Sequence, residues 1–331
     1  MQRQAFIVNN HIKEFIKSNL KTIASLSFLN DDIIQIVDTV SPVRERAYLM
    51  CLSSELSNTN ENAVELLALV IEMQIIAAYL KDDILDSNSV RSHQQTVNSK
   101  YDIKRAAIYS DLFLNSSYIA LEKVRQLIPE AHYKEVILKI TESYQYISLG
   151  QIETVCFGYT DSNIISAIRL LYERLVGIAF GNYCSLLIYQ DDILKEQLFL
   201  FGKNIGMALQ IKNDISDFII DPSISGISPY QDLLQGQPNI VVAYLLEYKN
   251  NFSQNETQLL DNLLFHKYES EKIIEDDEDT ILNMLEKSNA IGNALLLYNK
   301  LLNNCLEHLV FIQNARVREK YVNFVKILIF E

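Results

Sequence analysis

The stretch that decides the fold is residues 61–86, which read ENAVELLALVIEMQIIAAYLKDDILD. Its apolar residues recur at helical spacing with no Gly or Pro, so the pattern predicts one long, mostly buried helix. Asp82, Asp83 and Asp86 lie at its end, and on a helix their carboxylates are neighbours, with Cβ atoms roughly 5–6 Å apart. Repulsion between them is costly unless a cation lies between them.

The residue types around this cluster indicate which cation fits. Oxygen ligands without a neighbouring His or Cys suit Mg²⁺, which keeps several waters and binds between one or two carboxylates and the phosphates of a substrate. The cluster therefore predicts a phosphorylated ligand. For a single cluster the ordinary alternative is a solvated helix end, where Asp is common.

A second acidic cluster, residues 213–217, follows another long helical pattern. Asn213, Asp217 and Asp221 repeat every four residues and so share one helix face. Two acidic faces on two helices could clamp one metal-diphosphate cluster. The acidic runs at 190–195 and 275–279 lack this pairing and are typical of solvated surface.

Composition favours an all-α protein built as a single large helical bundle. Of 331 residues 49% are hydrophobic, and only nine are Gly and five are Pro. We expect helices near 8–21, 29–39, 43–57, 61–86, 102–127, 130–156, 162–189, 191–218, 237–249, 254–265, 270–288, 290–308 and 312–329.

Charge and cysteine usage exclude several functions. A net charge of −13 makes nucleic acid an unsuitable partner. The four Cys are scattered without metal-ligand or disulfide spacing. Because we find neither a signal-peptide layout nor an uninterrupted apolar span of roughly 18 residues, we expect a cytoplasmic protein without a transmembrane segment.

The order of motifs resembles the trans-prenyltransferase and class I terpenoid synthase superfamily. Asp82, Asp83 and Asp86 match its first DDxxD motif, and later stretches match in order: Gly150-Gln151, then Gly202, Gly206 and Gln210 before Asn213-Asp214-xx-Asp217, then Asp232-Leu233-Leu234-Gln235-Gly236. The match covers about 40–245. With helices over 254–331, we expect one domain spanning 1–331.

The resemblance implies an isoprenoid-synthase bundle around a deep apolar cavity, usually a homodimer, with three Mg²⁺ ions when substrate is bound. It implies catalytic roles for Asp82, Asp83, Asp86 and Arg91. The implied metal ligands are Asp82, Asp86, Asn213, Asp214, Asp217 and Asp221. Diphosphate contacts fall on Arg91, Arg174, Gln210 and Arg46, and the prenyl pocket on Ala77, Ala78 and Gln151.

Departures from the family concern the acceptor. Chain-elongating members bind isopentenyl diphosphate with a Lys, a His and two Arg, but here Val43, Ile75 and Ser92 replace three of these, and only Arg46 remains. Each lost contact to a charged group is worth roughly 1.5–3 kcal/mol. Gln237 also replaces a Lys that follows the family's last Gly.

We therefore expect ionisation of an allylic prenyl diphosphate and transfer to a non-isopentenyl acceptor, a small peptide as in ComQ-type prenyltransferases. The small Ala77 and Ala78, one turn before Asp82, predict a prenyl chain of C15 or longer. A terpene synthase making a hydrocarbon or alcohol is the first alternative, and a chain-elongating polyprenyl diphosphate synthase the second. A regulatory subunit without turnover is disfavoured by the intact first motif.

Overall fold

The computed structural model describes residues 13–15, 27–40, 44–91, 93–159, 163–219, 230–265 and 272–329. Within these ranges the chain forms fifteen α-helices and one short hairpin, so the predicted all-α class is confirmed. The α-helices are α1 (Ser27–Thr39), α2 (Glu45–Ser54), α3 (Glu61–Leu85), α4 (Val97–Lys100), α5 (Ile103–Val124), α6 (Glu130–Val155), α7 (Ile164–Tyr172), α8 (Ile178–Ser185), α9 (Asp192–Ile219), α10 (Gln231–Gln235), α11 (Ile240–Glu247), α12 (Gln254–Phe265), α13 (Lys272–Ser288), α14 (Ala290–His308) and α15 (Ala315–Leu328).

Helix α3 is the predicted helix of residues 61–86. The Asn60 side chain caps it by accepting hydrogen bonds from the backbone N–H groups of Asn62 and Ala63. By length and composition α3 is apolar enough to cross a membrane, but 78% of its most apolar window is buried inside the protein. It therefore serves as a central core helix in this structure.

A two-stranded antiparallel hairpin interrupts the connection between α3 and α4, where the sequence predicted only a break. Strands β1 (Val90–Arg91) and β2 (Gln94–Gln95) pair with Arg91 opposite Gln94. His93, with a φ of 62°, lies in the turn. The hairpin brings Arg91 back toward the end of α3.

The single helix predicted for 162–189 is divided in the structure. After α7 the chain forms a π-helical turn, Glu173–Gly177, and then continues as α8. A π-helical turn widens the helix, and such turns are frequent at functional sites. Pattern alone does not separate a π-helical turn from an α-helical one, since both keep the apolar residues on nearly the same face.

Glycines set how closely α9 approaches this segment. A Cβ atom added at Gly202 would lie 2.4 Å from the carbonyl oxygen of Phe180, and one at Gly206 would lie 2.9 Å from that of Val176. Any larger residue would push the helices apart. The Gly-x3-Gly spacing is thus a packing requirement that fixes the position of the second acidic cluster.

Buried apolar side chains form two groups. One includes residues of α1, α2, α3, α5, α6 and α8, and the other includes residues of α7, α9 and the helices from α11 to α15. A cavity lies where the two groups meet, because its wall takes Ala78 and Ile147 from the first and Phe180 from the second.

Candidate active site

A cavity of about 320 Å³ opens beside the end of α3. Ile75, Ala78, Tyr79, Asp82 and Asp86 line it, at the three- and four-residue spacing of one helix face. The wall is therefore apolar toward the middle of α3 and acidic toward its end. Such a cavity suits a ligand with an apolar body and a charged head.

Asp83 differs from its two neighbours because it faces away from the cavity. Its side chain is 1% exposed, and its Oδ1 accepts a hydrogen bond from Arg91 Nε at 2.8 Å. Arg91 also donates from Nη2 to Oδ2 of Asp82 at 3.1 Å and lines the cavity. Asp83 thus holds Arg91 in place, while Asp82 and Asp86 remain at the cavity wall.

The carboxylates at the wall repel one another. Burial raises the pKa of Asp86 to about 7, with further contributions from the charges of Asp82 and Asp232. Burial also raises the pKa of Asp82, against the lowering effect of Arg91. A divalent cation would relieve this repulsion, which is the electrostatic condition predicted from the sequence.

The second acidic cluster is arranged differently. Asp214 is 1% exposed and accepts hydrogen bonds from the backbone N–H of Ile240 at 2.8 Å, from Gln210 Nε2 at 3.2 Å and from the hydroxyl of Tyr172. Burial raises its pKa to about 8, and the charge of Asp232 adds to this. In this structure Asp214 holds the start of α11.

Asp217 holds the start of α10 in the same way. Its oxygens accept hydrogen bonds from the backbone N–H groups of Gln231 at 2.9 Å and Asp232 at 3.2 Å. Burial, followed by the charge of Asp232, raises its pKa to about 8. Of the metal ligands predicted in this region, Asn213 lines the cavity and Asp221 lies outside the described residues.

Asp232 is a site residue that the sequence interpretation missed. It lines the cavity, accepts a hydrogen bond from Asn239 Nδ2 at 2.8 Å and raises the pKa of Asp86. The Asp-Leu-x2-Gly stretch that contains Asp232 was the available signal. The sequence interpretation gave Asp232 no role at the site because nothing in the local spacing places it against α3.

Three glutamines of residues 231–237 donate hydrogen bonds to residues at the end of α3. Gln231 Nε2 donates to Asn88 Oδ1 at 2.7 Å, Gln235 Nε2 to the backbone oxygen of Asp86 at 3.4 Å, and Gln237 Nε2 to Asp86 Oδ1 at 3.2 Å. These contacts cross about 150 residues of sequence, so helical spacing could not predict them.

The donor set fits Mg²⁺ as an ion shared between the protein and a phosphorylated substrate. No three His, Cys, Asp or Glu side chains within the described part of the chain converge closely enough to hold an ion unaided. Mg²⁺ commonly takes one or two carboxylates, with waters and substrate phosphates completing its shell. Asp82, Asp86 and Asp232 supply hard oxygens of that kind around one cavity.

The predicted diphosphate contacts are only partly brought together. Arg46, Arg91 and Gln210 line the cavity. Arg174, in the π-helical turn, instead forms an ion pair with Glu153 of α6, with 2.8 Å between Arg174 Nε and Glu153 Oε2. Arg174 does not line this cavity, and its contact with the diphosphate stays a prediction.

Aromatic rings hold the two cavity arginines. The guanidinium carbon of Arg91 lies 4.7 Å from the centre of the Tyr79 ring, and that of Arg46 lies 5.7 Å from the same centre. Arg46 also lies 4.6 Å from the ring centre of Phe180. Cations over ring faces are attracted by about 0.5–2 kcal/mol.

Of the predicted pocket residues, Ala78 and Gln151 line the cavity, and Gln151 Nε2 donates to the Ala78 carbonyl at 3.0 Å. Ala77 lies on another side of α3, where its carbonyl accepts a hydrogen bond from Ser110 of α5 at 2.8 Å. Ala77 packs against α5 and is not part of the cavity wall.

Comparison with known proteins agrees with this geometry. A family model described as polyprenyl synthetase matches residues 43–285. The chain is 23% identical to heptaprenyl diphosphate synthase component 2 of Bacillus subtilis, over 93% of this chain and 90% of that protein. It is 27% identical to geranylgeranyl diphosphate synthase of Saccharolobus solfataricus, over 78% and 76% of the two chains.

Solved structures agree in fold. A geranylgeranyl pyrophosphate synthase from Corynebacterium glutamicum, complexed with isoprenyl diphosphate and magnesium, superposes with a TM-score of 0.86 at 15% identity, covering 99% of this chain and 98% of that one. A heptaprenyl diphosphate synthase from Staphylococcus aureus gives 0.78 at 21% identity, covering 97% of each chain. At these identities the likeness concerns the fold, and the isoprenoid-synthase bundle predicted from the motifs is confirmed.

Proposed function

The chain belongs to the polyprenyl synthetase family, and from this premise we propose that it catalyses Mg²⁺-dependent prenyl transfer from an allylic prenyl diphosphate. The observation that supports the proposal is the division of one cavity into an acidic rim, with Asp82, Asp86 and Asp232, and an apolar wall of α3, α6 and α8 residues. A prenyl diphosphate has the same division between head and tail.

The chain's own residues account for most of what such a reaction needs. Mg²⁺ bound at the rim would supply the positive charge that stabilises a departing diphosphate. Arg91, fixed by Asp83 and Tyr79, is positioned to donate hydrogen bonds to the same group. Ala78, Ile147 and Phe180 line the space for the prenyl tail and keep water from the allylic carbon.

For the acceptor, the relatives support isopentenyl diphosphate and therefore chain elongation. Those named for an activity include heptaprenyl, geranylgeranyl and solanesyl diphosphate synthases. None of these names supports the peptide acceptor or the terpene synthase expected from the sequence. We place chain elongation first for this reason, and the peptide acceptor stays a prediction.

One observation favours an acceptor without a diphosphate as the second candidate. Ile75, where elongating members carry a His, is apolar and lines the cavity. Arg46 lines the cavity nearby, but the neighbouring Arg44 is buried in an ion pair with Glu72, with 3.1 Å between Arg44 Nη1 and Glu72 Oε2. The described wall thus offers a second diphosphate few positive charges.

The test is to incubate the purified full chain with Mg²⁺ and geranyl, farnesyl or geranylgeranyl diphosphate, with and without isopentenyl diphosphate. Longer prenyl diphosphates, seen by mass spectrometry only when isopentenyl diphosphate is present, support elongation. Pyrophosphate release without longer products overturns elongation and supports the second candidate. Absence of both, with each donor and also after a candidate partner subunit is added, overturns chain elongation.

The partners and the number of ions are part of the same proposal. The name component 2 indicates that the Bacillus subtilis relative works with a further component, so a partner subunit is an alternative to the homodimer expected from the resemblance. Three Mg²⁺ ions, a C15 or longer chain and a cytoplasmic location remain predictions. Light scattering of the purified chain, alone and with a candidate partner, tests the assembly.

A further inference from the structure

Gln237, in the connection between α10 and α11, has a rigidly held backbone at the cavity. Its backbone N–H donates to the carbonyl of Asp232 at 2.8 Å, and its own carbonyl accepts a hydrogen bond from the hydroxyl of Tyr159. Its side chain lines the cavity together with Asp86 and Asp232. The side chain therefore starts from a fixed point beside the acidic rim.

The two ends of the Gln237 carboxamide are in different situations. Nε2 donates to Asp86 Oδ1 at 3.2 Å. Oε1 is buried and accepts no hydrogen bond from the residues that the structure describes. The opposite amide orientation would set this oxygen against the Asp86 carboxylate, so the hydrogen bond to Asp86 determines which atom is left over.

A buried carbonyl oxygen without a donor has lost its hydrogen bonds to water without replacement, so this oxygen requires an explanation. Amide oxygens are hard, neutral donors of the type that Mg²⁺ and its bound waters accept. A neutral donor also adds no repulsion to a rim where the charges of Asp82 and Asp232 already raise the pKa of Asp86.

We propose that Oε1 of Gln237 is an additional oxygen donor of the cation site, bound to the ion held by Asp86 or to a water of its shell. The inference rests on the magnesium site of the proposed function, but not on the prenyl reaction. A Lys at this position, as in the family pattern, has no oxygen atom to offer the ion. Gln237 instead adds to the ion's coordination.

The experiment measures Mn²⁺ and Mg²⁺ binding to the full chain in the presence of inorganic pyrophosphate, by electron paramagnetic resonance and calorimetry. In Gln237→Leu, which removes both polar atoms at similar volume, we expect cation affinity to fall about 10-fold, within the range of 10–100-fold for residues that support a metal. Gln235→Leu is the matched control, because the Gln235 side chain donates a hydrogen bond to the backbone oxygen of Asp86 and does not line the cavity. It should change affinity less than about threefold.

Gln237→Glu separates an oxygen donor from a residue that only orients Asp86. Glutamate keeps an oxygen at this point but loses the N–H donor to Asp86. Affinity retained in Gln237→Glu and lost in Gln237→Leu supports the proposal. Equal losses of cation affinity in both variants overturn the proposal in favour of a residue that only orients Asp86. If Gln237→Leu folds poorly, its affinity is corrected for the folded fraction before the two variants are compared.

Wild-type affinity in Gln237→Leu overturns the proposal outright, since the orphaned oxygen would then be satisfied by water alone. The outcome is separable from the proposed function. Cation and pyrophosphate binding without prenyl transfer would overturn the reaction while leaving the role of Gln237 standing. Prenyl transfer by the wild type, with an unchanged cation affinity in Gln237→Leu, would support the reaction and overturn the role of Gln237.

Discussion

The two acidic regions look alike in sequence but use their carboxylates differently. In the first, residues 82–86, Asp82 and Asp86 line the cavity. Arg91 donates to both Asp82 and Asp83, but only Asp83 is buried away from the cavity. In the second, residues 213–217, the oxygens of Asp214 and Asp217 accept hydrogen bonds from the protein's own donors. One region presents a binding face and the other holds the scaffold beneath it.

Helix ends explain the difference. The first region lies at the end of α3, where the exposed main-chain groups are carbonyls, which cannot donate to a carboxylate. The second lies near the end of its own helix, α9, but packs against the first residues of α10 and α11. The free N–H groups at the start of a helix attract carboxylates. The N–H groups of Gln231 and Ile240 reach Asp217 and Asp214 in this way. The neighbours, more than the motif, decide what each Asp does.

The largest effect should come from the first region. Asp82→Ala or Asp86→Ala should lower turnover of a prenyl diphosphate by about 10²–10³-fold, because each removes a ligand of the ion that stabilises the leaving group. Pyrophosphate release measures this, and the melting temperature should change little. Asp192→Ala, in the exposed acidic run at 190–195, is the matched control and should keep full activity. Activity retained in Asp86→Ala would erase the contrast between the regions.

In the second region, Asp214→Asn should mainly affect stability. At pH 6 the carboxyl carries one proton, because burial raises its pKa to about 8, whereas Asn sets two N–H donors among the hydroxyl of Tyr172 and the N–H groups of Ile240 and Gln210. We expect a loss of about 2–3 kcal/mol, seen as a melting temperature lower by roughly 3–4 °C at pH 6 for a chain of this length. The free energy of Mg²⁺ binding in the presence of pyrophosphate should change less than the free energy of unfolding. A large loss of cation binding in a stable variant would assign Asp214 to the metal after all.

Much of the fold could be predicted because the apolar spacing within a segment is enough to indicate a helix. The predicted 61–86, 254–265 and 290–308 correspond to α3, α12 and α14 within a residue. The errors fall where contacts between distant segments determine the local backbone structure. The π-helical turn, the hairpin around His93 and the short α10 depend on close approach between segments, as Gly202 and Gly206 illustrate.

The same division holds for the site. Asp82, Asp86 and Ala78 share one face of a single helix, so spacing was enough to bring them to one wall. Asp232 and Gln237 reach that wall only by folding across the molecule. The pairing of Arg174 with Glu153 could not be predicted either, since Glu153 lies on a separate helix. Motif order, which needs no geometry, indicated the trans-prenyltransferase and class I terpenoid synthase superfamily, and the match to the polyprenyl synthetase family model confirms it.

Acidity should affect the second region in a defined direction. Burial, with the charge of Asp232, raises the pKa of Asp214 to about 8. Because the folded carboxyl keeps a proton that the unfolded chain has lost, its contribution to stability is complete below about pH 4 and declines up to about pH 8. The stability difference between the wild type and Asp214→Asn should therefore narrow as pH rises, which melting curves from pH 5 to pH 8 measure. A widening difference would contradict the raised pKa.

The smallest predicted effect concerns Tyr79, which lies on α3 one turn before the first region. Its ring centre lies 4.7 Å from the guanidinium carbon of Arg91 and 5.7 Å from that of Arg46, so one ring holds both cavity cations. Tyr79→Leu should raise KM for the prenyl diphosphate about 3–10-fold with kcat nearly unchanged, since each cation-ring contact is worth about 0.5–2 kcal/mol. Tyr79→Phe keeps the ring and should stay within about twofold of the wild type. Steady-state kinetics of the two variants provide the measurement. If Tyr79→Leu instead lowered the melting temperature and left KM unchanged, the Tyr79 ring would stabilise the fold and would not position the two arginines for the substrate.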